Sequence, residues 1–429
     1  MSSARYGHTD TLLPNGKVLV AGGRGQDSQG TLGSAELYDP AAGNWATTGL
    51  LTSPREAHTA TLLSNGKVMV IGGYDGTNVI STAEVYDPAT GTWSSTNSLI
   101  TARNGHSATL LLNGKVLVAG GHDGSAEFDS AEIYDPLIGT WTPTGSMTYS
   151  HWDHTATLLP DGRVLVAGGD GGAAGTSAEI YDPATGTWTG AGDMIYSRTA
   201  HTATLLPNGQ VLMAGGGWYY FGFLTTSTAE LYNPTNGTFI ETGEMVSTNS
   251  TFPFLATGRH FHTATLLTNG LVLVTGGDGR AGFVGSATLS SAEFYHPDTG
   301  VWMAAEGLTV RRTIHTATLM ANGHVLIAGG VDWSAPYSER ARSNAELHST
   351  VNATPPVLTD VQFAAGAFQF SFTNNPGAGF SVLASTNLAL PLSNWTIMGG
   401  VTEISSGRFQ FRDPNATNFP RRFYQVRSL

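Results

Sequence analysis

One phrase of sixteen residues, HTDTLLPNGKVLVAGG at His8–Gly23, returns six more times along this chain with few changes. Successive copies begin 47 to 61 residues apart. The histidines that open them are His8, His58, His106, His154, His201, His262 and His315. Self-similarity at a period near 50 residues is typical of proteins built from repeated structural units. The first prediction is therefore an array of similar units.

Each copy follows the same plan of four short segments. The first is H-[TS]-[AD]-T-L-[LM], and an Asn-Gly or Asp-Gly pair that favours a tight hairpin turn follows it. The second reads K-V-L-V-A-G-G or a close variant, the third is centred on A-E-[LVIF]-[YH], and the fourth begins at an aromatic residue. None of these segments has a helical period, so each copy predicts four strands, the signature of a propeller blade.

On these motifs, the chain over roughly residues 1–350 resembles the Kelch repeat family, and more closely the Kelch blades of galactose-oxidase-like bacterial proteins. The resemblance implies an all-β fold, a seven-bladed β-propeller. Residue sizes agree, because Thr-Ala-Thr suits a crowded innermost strand and pairs such as Tyr38 and Trp45 suit wider outer strands. Repeat 7 lacks a recognisable fourth strand. His348–Ala353 supplies it, an upstream segment supplies it, or the blade has only three strands.

After a Pro-rich linker at Thr354 the repeat stops, and residues 356–429 alternate in polarity with a period of two. This pattern predicts a small antiparallel β-sandwich, similar to immunoglobulin or fibronectin modules. The predicted domains are therefore 1–350 and 356–429.

Composition excludes several classes of function. The formal net charge is −12 without a basic stripe, which excludes a nucleic-acid partner, and no apolar run is long enough for a membrane span. Cysteine is absent, whereas the copper-radical chemistry of galactose oxidases needs a linked Cys–Tyr pair. The resemblance therefore extends to the blades and not to that chemistry, and whether the protein is an enzyme stays open. The first residues are not a signal peptide. We expect an export signal upstream, an extracellular or cell-surface location, and a monomer.

Two charged positions recur with the repeat. Glu stands in the third segment of all seven copies, and Arg stands three residues before the histidine in six: Arg5, Arg55, Arg103, Arg198, Arg259 and Arg312. A group needed once for chemistry is not copied in every unit, whereas a buried charge needs its partner every time. We therefore expect these residues and the repeat histidines to be scaffold.

Function is expected where the copies differ. The loops after Gly-Gly and those between successive blades share one face, and both kinds of loop are longest around blades 5–7. Aromatic residues concentrate there and predict a platform for carbohydrate or an apolar protein partner, although the same loops could instead pack together as a lid. The predicted ligand-binding residues are Trp218, Tyr219, Tyr220, Phe221, Phe223, Phe252, Phe254, Arg280, Phe283, Trp333, Tyr337, Trp152 and Asp10.

Three departures from the repeat are candidates of their own. His151 replaces the repeat Arg, which predicts local repacking or a ligand contact. His260 and His262 have H-x-H spacing, which on a strand points both rings to one face and could hold Zn or Cu. Asp10 stands on an innermost strand where every other copy has Ala, so it meets water, a partner at the closure seam, or a cation. Asp-Gly turns after Gly-Gly add possible oxygen ligands for Ca²⁺.

Three functional hypotheses follow. The first is an extracellular binding module that recognises carbohydrate or protein through the loop face over blades 5–7. The second is a sugar-active lyase or epimerase on the same face, with His151, His260, Tyr219 and Tyr220 as candidate acid and base groups. The third is a purely structural surface protein.

Overall fold

The described part of the chain consists mainly of strands and turns, and no α-helix occurs within it. The computed structural model describes residues 1–26, 29–170, 175–219, 223–246, 248–249, 252–256, 258–281, 284–333, 340–349, 359–364, 367–373, 380–386, 396–405, 408–416 and 422–428. Among these residues there is accordingly no helix that could cross a membrane. The Cα positions divide the chain into two compact units, Met1–His348 and Ser349–Leu429.

Each of the first four repeats forms one antiparallel sheet in which the strands lie in chain order. The strands of repeats 1 and 2 are β1 (Thr9–Leu12), β2 (Val18–Ala21), β3 (Ala35–Asp39), β4 (Asn44–Thr47), β5 (Thr59–Leu62), β6 (Val68–Ile71), β7 (Ala83–Asp87) and β8 (Thr92–Ser95). Those of repeats 3 and 4 are β9 (Ser107–Leu110), β10 (Val116–Ala119), β11 (Ala131–Asp135), β12 (Thr140–Pro143), β13 (Thr155–Leu158), β14 (Val164–Ala167), β15 (Ser177–Asp182) and β16 (Thr187–Asp193).

Repeats 5 to 7 add a two-stranded hairpin after Gly-Gly, and a further hairpin lies between repeats 5 and 6. Repeat 5 and the connection to repeat 6 contain β17 (Thr202–Leu205), β18 (Val211–Ala214), β19 (Gly217–Tyr219), β20 (Phe223–Thr225), β21 (Ala229–Asn233), β22 (Thr238–Thr242), β23 (Thr248–Asn249) and β24 (Phe252–Ala256). Repeat 6 contains β25 (Thr263–Leu266), β26 (Val272–Thr275), β27 (Asp278–Ala281), β28 (Val284–Thr288), β29 (Ala292–His296) and β30 (Val301–Ala305). Repeat 7 contains β31 (Thr316–Leu319), β32 (His324–Ala328), β33 (Val331–Asp332), β34 (Arg340–Ala341) and β35 (Ala345–Ser349).

The sheets are arranged in a circle. The first strand of each repeat lies beside the first strand of the next, and β31 of repeat 7 lies beside β1. The second strand of each repeat is buried along its whole length in repeats 1–6, and in repeat 7 it is buried except at its first residue, His324. The side chains of these strands therefore pack against the sheets on both sides. Val68 and Val70 of repeat 2, for example, pack on Leu19 of repeat 1. The apolar core therefore lies between adjacent sheets.

The circle closes between repeats 7 and 1. Val18 and Tyr38 of repeat 1 share an apolar cluster with Met320 and Leu326 of repeat 7. Within the described residues the sheet of repeat 7 has three strands, in the order β31-β32-β35. The segment His348–Ala353 was one candidate for a fourth strand. Its first two residues, His348 and Ser349, are the last two residues of β35, and its remaining residues lie outside the described part.

The repeat histidines link each first strand to the next. Nε2 of each ring shares a hydrogen bond of 2.9–3.1 Å with the hydroxyl of the residue that follows the histidine of the preceding repeat. Burial lowers the pKa of these rings, to about 3 for His8, so they are neutral donors or acceptors. Since all seven rings serve the same structural contact, these histidines belong to the scaffold.

The Gly-Gly pairs make room for those histidines. A Cβ on Gly72 would lie 2.5 Å from the carbonyl oxygen of Arg103 and 2.9 Å from Cε1 of His106 in the next repeat, and the φ of Gly72 is +59°. A side chain at this position would therefore push two neighbouring sheets apart.

The recurrent Arg and Glu residues pair within each sheet. The guanidinium of Arg198 is fully buried and bonds to Glu230 at 2.8 Å, to the carbonyl oxygens of Gly215 and Thr228, and to the Thr228 hydroxyl. The backbone N–H of Ile195 in the connection from the preceding repeat also donates to Glu230, at 2.7 Å. Each such pair thus anchors the incoming connection to the third strand. The other five pairs are Arg5–Glu36, Arg55–Glu84, Arg103–Glu132, Arg259–Glu293 and Arg312–Glu346.

The second unit contains two antiparallel sheets around one apolar core. The first has the order β36-β37-β41-β40 and the second β39-β38-β42, and Phe370, Phe409 and Val382 from the two sheets meet in the same cluster. Their strands are β36 (Thr359–Ala364), β37 (Ala367–Thr373), β38 (Phe380–Ser385), β39 (Thr396–Gly400), β40 (Thr402–Ser405), β41 (Arg408–Asp413) and β42 (Phe423–Ser428).

Candidate functional site

Two variable positions in each repeat lie close to residues that recur, namely the repeat histidine and the Gly-Gly pair. The residue two before the repeat histidine forms an isolated β-bridge with the residue after Gly-Gly. These bridges lie at the ends of the first and second strands, next to the circle of first strands. The pairs are Tyr6–Arg24, Glu56–Tyr74, Asn104–His122, Trp152–Asp170, Thr199–Gly217, His260–Asp278 and Thr313–Val331.

The residue directly before each histidine forms an inner ring. Its φ is positive in every repeat, between 49° and 60° at Gly7, Ala57, Gly105, Asp153, Ala200, Phe261 and Ile314. The backbone N–H of Ala200, for instance, donates to the carbonyl oxygen of Asp153 at 3.1 Å, and five more bonds of this type join neighbouring repeats. A positive φ is costly for a β-branched residue such as Ile314, so the ring is held by these bonds and by its surroundings.

A cavity of about 220 Å³ opens at this ring on the side of repeats 4–7. We call it the axial cavity, and its walls include Trp152, Asp153, Asp170, Phe261, Asp278 and Trp333. The remaining walls are threonines, His260, Ala200 and Ile314. The cavity therefore combines aromatic surface with three carboxylates, and none of its described lining residues is Lys or Arg.

Asp153 is the carboxylate most affected by its surroundings. Burial, and to a smaller extent the charge of Asp170, raises the pKa of Asp153 to about 6. Among the described residues its carboxylate has no hydrogen-bond or ion-pair partner. A partly buried carboxylate without a protein partner is free to interact with whatever occupies the cavity.

Of the predicted aromatic residues, the structure brings Trp152 and Trp333 together in the axial cavity. Trp333 is 37% exposed, and its backbone N–H donates to the Thr288 hydroxyl of repeat 6 at 2.9 Å. Trp218 is half-buried on β19, where it pairs with Leu224. The other predicted aromatic residues and Arg280 lie outside the described residues, wholly or in their side chains: Tyr219, Tyr220, Phe221, Phe223, Phe252, Phe254, Phe283 and Tyr337.

His151 lies away from the cavity. It is fully buried, with Nδ1 sharing a hydrogen bond of 2.7 Å with the carbonyl oxygen of Gly168 and Nε2 lying 3.4 Å from Glu179. The hydroxyl and N–H of Thr148 and the N–H of Tyr149 also donate to Glu179. His151 thus takes the place of the repeat Arg in repacked surroundings.

The assumption behind the H-x-H metal prediction is wrong. His260 and His262 precede β25 rather than lie on it, and Phe261 between them has a φ of +49°. Nδ1 of His260 shares a hydrogen bond with the carbonyl oxygen of Asp278 at 2.8 Å, whereas Nε2 of His262 contacts Thr202. Within the described residues no group of three or more His, Asp or Glu side chains could hold a metal ion.

The Asp-Gly turns proposed for Ca²⁺ have another role in repeats 2 and 3. Asp75 accepts hydrogen bonds of 2.7 Å from the backbone N–H groups of Thr77 and Asn78. Asp123 accepts two similar bonds, at 2.8 Å. These carboxylates cap their own turns.

Asp10 lies at the closure seam rather than on the loop face. It accepts a hydrogen bond from the hydroxyl of Thr318 in repeat 7. Burial raises the pKa of Asp10 to about 6, while the hydrogen bonds from Thr318 and Thr316 oppose this shift. The first copy therefore carries Asp where repeat 1 meets repeat 7.

We expect Asp10→Ala, which restores the repeat pattern, to stabilise the protein at neutral pH. Since the folded pKa lies above the unfolded value, the folded state binds the proton more tightly, and wild-type stability falls as pH rises from about 4 to about 6. The variant should be about 2 kcal/mol more stable at pH 8 and little changed at pH 4. Chemical denaturation at both pH values measures this, and a less stable variant at pH 8 would contradict it.

Reasoning from the sequence missed the inner ring and most of the cavity walls. Phe261, Ile314, Thr199 and Thr313 were not candidates, because they lie one or two residues before the repeat histidines and outside the aromatic-rich segments of the long loops. An alignment of the seven copies carries the signal, since the two residues before the histidine and the one after Gly-Gly change while their neighbours do not.

Comparison with known families and structures agrees with this architecture. A family model described as the KLHDC2/KLHL20/DRC7 Kelch-repeats domain matches residues 1–169, and the Kelch motif model matches residues 154–195. A solved structure of a fungal alcohol oxidase of the AA5 family in complex with copper matches 100% of this chain and 94% of that chain, with a TM-score of 0.64 and 19% identity. The comparison with curated proteins finds no match.

The family models therefore show Kelch repeats over residues 1–195, and the structural match shows a β-propeller fold. Its propeller has the galactose-oxidase type of fold, as the resemblance of the repeats predicted. At 19% identity the structural match shows the fold alone.

The copper site of that relative has no counterpart in the donors described here. Cysteine is absent from the whole chain, and Nε2 of each repeat histidine is hydrogen-bonded to a hydroxyl group of a neighbouring repeat. The axial cavity offers carboxylates and His260, without the His-rich donor set that copper prefers. The residues that the structure describes do not fit a copper centre.

Proposed function

We propose that this protein is a binding module that takes a carbohydrate into the axial cavity. The observation that carries the proposal is the coincidence, in one cavity, of two tryptophans with the carboxylate of Asp153, which has no described partner. Aromatic faces stack on the apolar faces of sugar rings, and carboxylates accept hydrogen bonds from their hydroxyl groups.

The size of the cavity favours a small ligand. Its volume of about 220 Å³ is below the range typical of drug-sized ligands. One sugar ring, at the end of a chain or on a branch, is therefore the unit we expect to be bound. The hairpins of repeats 5–7 would border the remainder of a longer glycan.

The proposal also includes the number of propeller blades and the fold of the C-terminal unit. Seven blades are supported by the circle of first strands from β1 to β31, and a C-terminal β-sandwich by two sheets that share one core. We also propose an extracellular or cell-surface location and a monomeric state. Fractionation of the producing cells and light scattering of the purified protein would test these two points.

Binding to a glycan array, followed by titration of the strongest hit, tests the function. Trp333→Ala should weaken binding about tenfold, since an aromatic contact contributes roughly 1 kcal/mol beyond its buried area. Trp333 is 37% exposed, so the variant should remain folded. Tyr149→Ala, which removes a similarly exposed aromatic residue outside the cavity, is the control and should bind normally. A protein that binds no glycan, or binds equally well without Trp333, would refute the proposal.

One observation favours a second candidate, a sugar-active enzyme. A carboxyl group with a pKa near 6 beside another carboxylate, as in Asp153 and Asp170, is suited to proton transfer at neutral pH. This candidate predicts that wild type converts the bound glycan and that Asp153→Asn binds it without turnover. Product analysis by mass spectrometry separates the two functions.

A further inference from the structure

Three carboxylates line the axial cavity, and no Lys or Arg side chain is among its described lining residues. Asp153 and Asp170 lie on repeat 4, and Asp278 lies on repeat 6 across the cavity. The recurrent arginines do not offset this charge, since all six pair with glutamates inside the sheets. A neutral sugar needs hydrogen-bond acceptors but no ionised partner, so an Asp153 carboxylate without a described partner suits a ligand that carries a positive charge.

Two groups inside the cavity are available to a ligand. The Asp153 carboxylate has no described partner, as shown above. Thr199 is only 7% exposed and lines the cavity, and its hydroxyl has no hydrogen-bond partner among the described residues. A hydroxyl that lines the cavity and has no protein partner can donate to or accept from a polar group of a ligand there.

We propose that the axial cavity selects a glycan unit that carries a protonated amine, with Asp153 as its counter-ion and the tryptophans as its walls. This inference rests on the proposed function and narrows its ligand class to amino sugars. An ammonium group supplies three donors, which suits a carboxylate and a threonine hydroxyl. Aromatic faces also attract cations directly, most strongly those of Trp.

The electrostatics of Asp153 agree with this ligand class. The titratable groups on the elements around it are Asp170, Asp278, His122, His154 and His260. Burial lowers the pKa of His122 and of His154, so neither is a cation at neutral pH. A Cβ on Gly105 would lie 3.3 Å from Oδ1 of Asp153. The absence of a side chain at Gly105 therefore leaves room for the Asp153 carboxylate. An ammonium ion bound here would favour the ionised carboxylate, which burial and Asp170 now oppose.

The test compares two probes that differ in one charge per ring. Oligomers of glucosamine and of N-acetylglucosamine of equal length are titrated calorimetrically at pH 7 into wild type and Asp153→Asn. Asparagine is nearly isosteric with aspartate and tolerates the φ of +51° at this position, so the fold is preserved. Asp161→Asn is the matched control, because Asp161 lies at the opposite end of β13 and β14.

We expect the glucosamine oligomer to bind wild type and Asp161→Asn at least tenfold more tightly than Asp153→Asn. The acetylated oligomer should change less than twofold between the three proteins. If it binds all of them as well as the amine does, the inference is overturned and the proposed function stands. If neither oligomer binds and the glycan array is also empty, the proposed function fails with it.

Discussion

Arg198→Met is expected to lower the free energy of unfolding by about 3–5 kcal/mol. The substitution keeps an apolar stem of similar length but leaves Glu230 buried with only the backbone donors of Ile195 and Tyr196. It also removes the donors to the carbonyl oxygens of Gly215 and Thr228. Urea or thermal denaturation measures the change.

The chain offers a matched control in the same half of the propeller. Arg163 is 37% exposed and pairs with Asp161 at 2.7 Å, so Arg163→Met should cost less than about 1 kcal/mol. The double variant Arg198→Met with Glu230→Gln should regain part of the loss, because it removes the uncompensated charge. Equal effects of the two arginine substitutions would show that the buried pair does not anchor the connection.

Gly72→Ala is expected to cost about 3 kcal/mol or more. The new methyl group would collide with the carbonyl oxygen of Arg103 and with the ring of His106, and alanine is strained at a φ of +59°. The contact between repeats 2 and 3 must open to admit it, which should also break the hydrogen bond between His106 and Thr59. Thermal denaturation and the NMR signal of the His106 ring report the two effects.

Gly16→Ala separates strain from collision. Gly16 has a φ of +81°, but a Cβ there meets no atom within 4 Å. We expect a cost of about 1 kcal/mol from the backbone alone. If both glycine variants lost the same stability, the close approach of neighbouring sheets at Gly72 would not matter.

The sequence was sufficient for the repeat, its strands and its scaffold. Period-two segments, Asn-Gly turns and Gly-Gly pairs are local signals, and they mark strands that the structure contains. The pairing of Arg198 with Glu230 could be anticipated because the two residue types recur together. For His151 the sequence left local repacking and a ligand contact open, and its position 3.4 Å from Glu179 agrees with the first of these.

The cavity could not be located from the sequence because it depends on backbone geometry. Phe261 has positive φ, a property of the ring of inter-repeat bonds and not of the residue type. That twist separates His260 from His262, which a strand would have aligned. Likewise, the neighbours of the Asp153 carboxylate depend on how repeats 3 and 4 pack together. A loop rich in aromatic residues, by contrast, can be recognised from the sequence alone.

The isolated β-bridges beside the inner ring bear on how ligand selectivity can change between related proteins. Each unit contributes its own pair of variable residues, and neither member of the pair belongs to the recurrent Arg–Glu pairs or to the hydrogen bonds of the repeat histidines. Bridge residues of adjacent units can contact each other, as Arg24 and Glu56 do at 3.4 Å. Exchanging one unit for another by recombination would therefore transplant a new recognition element without redesigning the framework. Ligand selectivity in this architecture can therefore evolve one repeat at a time, while the number and packing of the repeats stay the same.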